Sequence, residues 1–444
     1  MNHRVNHSIA WLIPCLLGVL AVSLALADDQ SAPSVSKAAD NLPLLIGIDG
    51  RSWRQALETV DQQGRIQPSP AGHSLALDDL LEMRFPEASS GPPEIESARE
   101  PLIQVRLRTG SLIQAASLSL EDERVTIAWP LIQNRVTCSI DALASITYAT
   151  PQSTLPANDP RWKPALDTDR LLVRDGDRVI SISGIITQIS GAGVELEVDG
   201  ETRRVARETL AAVIMAAPEE TRRPMTRRLE LRDGSSIETN SLFFADSKWR
   251  ANITQASGQG GDAPIPSGAT RPATWEVELP ADSMRRLEIR SPRVVWLSDL
   301  SPRVVDEQAI AGRPLPWRRD LSVLGGPLKL GGTTHRRGIG VRAHSQLEYN
   351  LPANVESFVA TVGLDDAAQG RGECEVVVLG DGSVPLWKAS VRGGDAPRSI
   401  HVALQGRERL TLVVEPGPHL DLSDFVDWGD ARLVRSSPPP TPKK

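Results

Sequence analysis

The residues best suited to do chemistry in this chain lie in "GIGVRAHSQLEYNL", residues 338–351. Only seven His occur among 444 residues. Here His344 follows Arg342 at a spacing of two, just behind Gly338 and Gly340. Glycines at such positions allow a turn or a close strand approach. Beyond them Leu347, Tyr349 and Leu351 share one strand parity, and Gln346, Glu348 and Asn350 the other. The apolar set is expected to face a core. Unless the turn intervenes, Arg342 and His344 then point outward together at a surface lip. A guanidinium there can donate a fork of hydrogen bonds to sugar hydroxyls; the plainer reading is a solvated strand start.

A second group is acidic. Asp365 and Asp366 stand in "GLDDAAQ" at a strand end, and Asp421, Asp424 and Asp427 crowd the segment before Trp428. Hard oxygen donors in loops suit Ca²⁺. Asp365, Asp366, Asp424 and Asp427 are therefore the candidate ligands of a structural calcium. The alternative has Asp365 and Asp427 accepting loop N–H bonds, as turn aspartates do. Trp428 has a face that can stack on a sugar ring. The "ARLV" that follows continues as a strand, which favours a core position instead, and Trp387 obeys the same logic.

Catalysis finds no support. The chain has no Gly-x-Ser-x-Gly, no His-Glu-x-x-His and no phosphate loop. No motif singles out the pair of carboxylates that glycoside hydrolysis requires. A formal net charge of -7 and a pI near 5.7 argue against non-specific nucleic-acid binding, which needs a basic face. Trp is the commonest aromatic, with 10 copies against 5 Phe and 2 Tyr.

The amino terminus reads as an export signal. Arg4 precedes an apolar run from Ile9 to Leu26, and Ala25-Leu26-Ala27 is a small-x-small cleavage site. Cleavage after Ala27 would leave a secreted or periplasmic chain without a membrane span; an uncleaved anchor is the alternative. Cys138 and Cys374 are expected to be buried free thiols, because they fall in separate parts of the chain. No clustered Cys/His spacing suggests zinc.

The elements that position these residues are strands. A degenerate repeat fills the first half. Each copy opens on a turn, at Asp49-Gly50, Thr109-Gly110, Asp175-Gly176 and Asp233-Gly234. Each closes with an acidic turn and an apolar strand, at Asp79, Asp141, Glu208 and Asp282. The fourth copy is longer because it carries "ASGQGGDAPIPSGATRPA", residues 256–273, a Gly- and Pro-rich insertion. The copies span 42–85, 102–149, 169–216 and 227–291, with polar Pro-containing linkers at 86–101, 151–167 and 217–225. Short strands with Gly turns predict small β-barrel-like units. The turn in "IDALASI" resembles the short helical turn before the last strand of Sm-like barrels.

From 293 to 436 the pattern becomes that of a two-sheet antiparallel sandwich, with strands such as "QLEYNL", "CEVVVLG" and "LTLVVEP", before a tail at 437–444. The runs "WLSDLSP", "GGPLKLGGTTHRRGIGVRAHSQLEYNL", "FVATVGLDDAAQGRGECEVVVLGDGSVPLW" and "DFVDWGDARLV" occur in order and together resemble the NPCBM family. That resemblance implies a galactose-binding-like jelly-roll sandwich that recognises glycans, often as an accessory to glycoside hydrolases. Two positions depart from the family pattern, which usually has His where this chain has Arg342 and Phe425. If those positions touch sugar, specificity changes; if they brace the loop, little changes.

The sequence thus predicts an exported, all-β, non-catalytic protein. Arg342, His344 and Trp428 are its candidate glycan contacts, a galactose-type sugar is its expected ligand, and the repeats are a spacer or docking scaffold. The competing class is a cell-envelope structural or protein-interaction component; a glycosidase is the least supported.

Overall fold

The computed structural model describes residues 41–68, 75–87, 103–132, 135–148, 156, 159–217, 225–254, 274–308, 315–418, 420 and 422–436. The export segment, the insertion at 256–273, much of the three linkers and the tail lie outside these residues. Strands dominate, and the helical pieces among the described residues are three-residue 3-10 turns. Cys138 and Cys374 are buried free thiols in different cores.

The opening glycines reverse the chain with φ of +86° at Gly50, +97° at Gly110, +59° at Gly176 and +86° at Gly234. A residue with a Cβ is strained there. Each closing acidic residue lies in a 3-10 turn: Leu77–Asp79, Ile140–Ala142, Arg207–Thr209 and Ala281–Ser283. Each turn feeds a closing strand: Leu80–Arg84, Leu143–Tyr148, Leu210–Ile214 and Met284–Ile289. The closing strand pairs antiparallel with the first strand of its own copy, always with a register shift. Such bulges bend a strand and raise its twist, and the strands of the copies combine into shared sheets, one of 17 strands and one of six.

The copies then join through their closing strands. Copies 1 and 4 meet with Met83 opposite Leu287, and copies 2 and 3 with Ile146 opposite Val213. Turns of copies 2 and 4 also exchange hydrogen bonds. Gln114 N–H donates to Ser235 Oγ at 3.0 Å and Glu238 N–H to Ser111 Oγ at 2.9 Å. One apolar core runs through all four copies, from Leu45 to Ile289.

The C-terminal part is a β-sandwich. Its front sheet runs Arg318–Arg319, Gly338–Arg342, Phe425–Arg435, Val355–Leu364, Arg398–Ala403, and Val294–Trp296 also pairs with Phe425–Arg435. Its back sheet runs Arg303–Glu307, Ser345–Asn350, Arg409–Pro416, Glu373–Gly380, Val384–Arg392. Ile339 and Val341 from the front and Leu347 and Tyr349 from the back meet in one core, with Leu351 packed at its margin. Gly338 serves a close approach: a Cβ there would lie 2.2 Å from the Trp428 carbonyl oxygen.

Candidate functional site

The chain changes sheets within residues 338–351. Gly338–Arg342 belongs to the front sheet and Ser345–Asn350 to the back sheet, with Ala343 and His344 as the corner. The corner is tied down by Ala343 N–H, which donates to the Asp424 carbonyl at 3.1 Å.

This switch separates Arg342 from His344, so the expectation that they point outward together is corrected. Arg342 is half-buried on the outer face of the front sheet, directly opposite Phe425. His344 instead serves the back sheet. Its Nδ1 lies 2.7 Å from Glu415 Oε2 and its Nε2 3.2 Å from Asp306 Oδ2. The ring thereby bridges an edge strand and a central strand. Glu415 and Asp306 were not legible as its partners, because 71 and 38 residues separate them from it.

Trp428 is also corrected. It is 0% exposed and packs in the sandwich core, 6.3 Å from the Phe358 ring. Strand alternation explains this: Val426 and Trp428 point inward, so Phe425 and Asp427 point outward. A buried ring has no face to offer a sugar. Phe425, half-buried at the start of its strand, is the aromatic on the same outer face as Arg342. Leu422, 57% exposed, precedes it in the chain.

The four aspartates fall into two uses. Asp366 accepts Gly331 N–H at 2.8 Å and Gly332 N–H at 2.9 Å, and Asp424 Oδ1 accepts Glu373 N–H at 2.8 Å. These carboxylates hold loops. Asp365 and Asp427 meet behind them, both buried. Asp427 Oδ2 accepts Lys329 N–H at 3.0 Å and Asp365 Oδ1 accepts Ala367 N–H at 2.6 Å. Their remaining oxygens, Asp365 Oδ2 and Asp427 Oδ1, are buried without another partner. Burial first, then the hydrogen bond and charge of Asp365, push the Asp427 carboxyl up to about 10. A calcium site here would draw most of its six to eight oxygens from backbone carbonyls, since among the described residues no group of three or more His, Cys, Asp or Glu is placed to hold a metal.

The outer face of the front sheet is therefore graded along its length. Arg342 and Phe425 form a lip at one end. Beside them the Lys329 amide reaches Asp427. The hairpin that contains Lys329, with strands Leu328–Leu330 and Thr333–His335, covers the middle, and its His335 ring lies against Gly429.

The sequence pattern over these same strands identifies the module: a family model matches from Arg293 to Val434, through both sheets. Residues 293–434 match the NPCBM/NEW2 domain. Over 118 residues, 26% of this chain, the protein is 35% identical to an alpha-1,3-galactosidase B of Akkermansia muciniphila, covering 15% of that protein. Over 208 residues, 40% of this chain, it is 26% identical to a Renibacterium salmoninarum protein provisionally named an endo-alpha-N-acetylgalactosaminidase, covering 14% of it. The chain thus spans about one seventh of the length of each curated relative. A solved CBM51 from Clostridium perfringens GH95, in complex with methyl-galactose, is 26% identical; it aligns with 32% of this chain and 99% of its own, with a TM-score of 0.29. The lip and the buried acid pair both lie within the NPCBM domain.

Proposed function

We propose that this chain is a non-catalytic glycan-binding protein that takes a galactose-type sugar at the lip formed by Arg342 and Phe425. The NPCBM/NEW2 match over the whole sandwich carries the reading. The geometry supports it locally: the lip pairs a fork-shaped donor with an aromatic ring at one end of an outer sheet face. One shallow site of this kind binds weakly, on the order of 10⁻⁴ M, or about -5 to -6 kcal/mol. His344 enters this reading as a brace of the corner behind the lip, through Glu415 and Asp306.

The acidic groups near the lip do not suit hydrolysis. Glycosidases set two carboxyls about 5–10 Å apart across a cleft, whereas Asp365 and Asp427 are both buried and burial pushes the Asp427 carboxyl up to about 10. The repeats serve in this reading as the scaffold that carries the sandwich. Among the described residues no helix is long and apolar enough to cross a membrane; export through cleavage after Ala27 remains part of the proposal.

A glycan-array screen of the full chain, with Arg342→Ala beside it, tests the reading. Binding to galactose-containing glycans that disappears in the variant supports it. The burial of Trp428 favours a second reading, a cell-envelope protein-interaction component, because it leaves the lip with one aromatic. A folded protein that binds no glycan would select that reading.

A further inference from the structure

Three of the four copies share a side chain as well as strands. Two residues before the opening glycine, copies 2, 3 and 4 carry Arg108, Arg174 and Arg232. Arg108 donates to the Ala216 carbonyl, just past the closing strand of copy 3. Arg174 returns the contact to the Tyr148 carbonyl at the end of copy 2, at 3.2 Å. Arg232 donates to the Pro86 carbonyl, just past the closing strand of copy 1. Copy 1 breaks the pattern with Ile48. Its backbone keeps the common place: Ile48 N–H donates to the Asp79 carbonyl at 3.0 Å, as Arg108 does to Ala142 at 2.8 Å and Arg232 to Ser283 at 2.9 Å.

The sandwich fills the position that the missing arginine leaves. Ile48 is buried in a small apolar cluster with Val359 and Val434 of the front sheet, and Leu81 and Val294 pack around it. A guanidinium also arrives, from the opposite side. Arg432 Nε donates to the Ile48 carbonyl at 2.7 Å. Arg432 is 3% exposed, and burial pulls it down to about 10 while Asp430 and Asp49 act in the other direction. The seam continues through Arg293, which pairs with Asp79. Burying a charged group is costly unless it is paired and hydrogen-bonded, so a contact arising only from a short linker would not be expected to place Arg432 here. Nor would it need copy 1 alone to lack the repeat arginine.

We propose that copy 1 is a dedicated socket for the sandwich, with Ile48 in place of the repeat arginine so that Arg432 can seat, and that scaffold and sandwich move as one rigid body. The strand clamped at Arg432 begins at Phe425. At about 3.3 Å per residue, the lip is held about 23 Å from the socket in a fixed direction. This goes beyond glycan recognition and is independent of what the lip binds.

Small-angle X-ray scattering of the full chain decides it, compared with Ile48→Arg and Arg432→Met. Copies 2 to 4 carry arginine at this position, so the scaffold accommodates Ile48→Arg, but the new guanidinium would enter the apolar cluster that Ile48 forms with Val359 and Val434. The wild type should scatter as one compact body. Both variants, folded by circular dichroism, should show a larger radius of gyration and maximum dimension. If Ile48→Arg does not fold, Arg432→Met gives the same reading. Wild-type data that require two independently moving bodies would overturn the proposal. So would folded variants that scatter like the wild type.

Discussion

Arg342 and Phe425 stand directly opposite each other on adjacent strands of the front sheet. They are also the two positions at which this chain departs from the histidines of the NPCBM pattern. The departures are therefore one change in a neighbouring pair. Contacting residues couple energetically, and their effects on a ligand should not add. Arg342→Ala and Phe425→Ala should each weaken glycan binding about tenfold, about 1.4 kcal/mol, with the double variant losing less than the sum. Isothermal titration measures this cycle. The double change to histidine should shift the glycan preference on an array, and an unchanged preference would remove the pair from the site.

The buried acid pair predicts a pH dependence. Folded Asp427 keeps its proton up to about pH 10, whereas an unfolded aspartate releases it near pH 4. Between those values the folded chain binds the extra proton. The stabilisation is fully present below the unfolded value and is lost as pH rises through the folded one, with a slope of at most about 1.4 kcal/mol per pH unit. Asp427→Asn cannot titrate and should flatten the slope in urea unfolding followed from about pH 5 to 9. An unchanged slope would assign the dependence to other groups.

Calcium gives the same pair a second test. Asp366 and Asp424 are engaged by backbone amides. A chelator should therefore leave the thermal midpoint of the sandwich unmoved, and a clear drop on chelation, reversed by Ca²⁺, would show that carbonyl oxygens complete a metal site around Asp365 and Asp427.

Trp428 should behave as core. Trp428→Ala removes a wholly buried ring and should cost about 3–5 kcal/mol of stability. Trp428→Phe should cost less and leave glycan affinity within twofold of the wild type. A folded Trp428→Phe protein that has lost its ligand would return the residue to the site.

Gly338→Ala should be among the most damaging single changes in the sandwich. The new methyl would meet the Trp428 carbonyl oxygen at 2.2 Å and Leu328 Cδ1 at 2.8 Å. Backbone at one side and a packed hairpin at the other leave little room to shift. Gly176→Ala has nothing within 4 Å and carries only the strain of its +59° φ, about 1 kcal/mol. Comparing the two unfolding midpoints checks the ordering.

Much of this architecture was legible because its signals are local. The opening glycines and closing acidic turns mark positions where backbone geometry restricts residue choice. Alternation placed Leu347 and Tyr349 in the core. The same rule, applied to "FVDW", would have put Trp428 beside Val426 on the inward face. The sheet change at Ala343 was not legible, since residue parity says nothing about which sheet a strand joins. That single corner parted Arg342 from His344. The clasp of His344 by Asp306 and Glu415 was hidden for the same reason, as was the meeting of Asp365 with Asp427.

The pairing order of the repeats sets an order of assembly. Copies 2 and 3 join as sequence neighbours, while copies 1 and 4 close around them, with Met83 opposite Leu287. Loop closure favours the nearer pair. During synthesis the inner pair can close while copy 1 still waits for its distant partner. The strand that finishes copy 1's sheet, Met284–Ile289, is the last of the scaffold and directly precedes the sandwich. The residues that seat Arg432, Ile48 and Asp49, lie in copy 1, so the base is made long before Arg432 itself, near the far end of the sandwich, is synthesised.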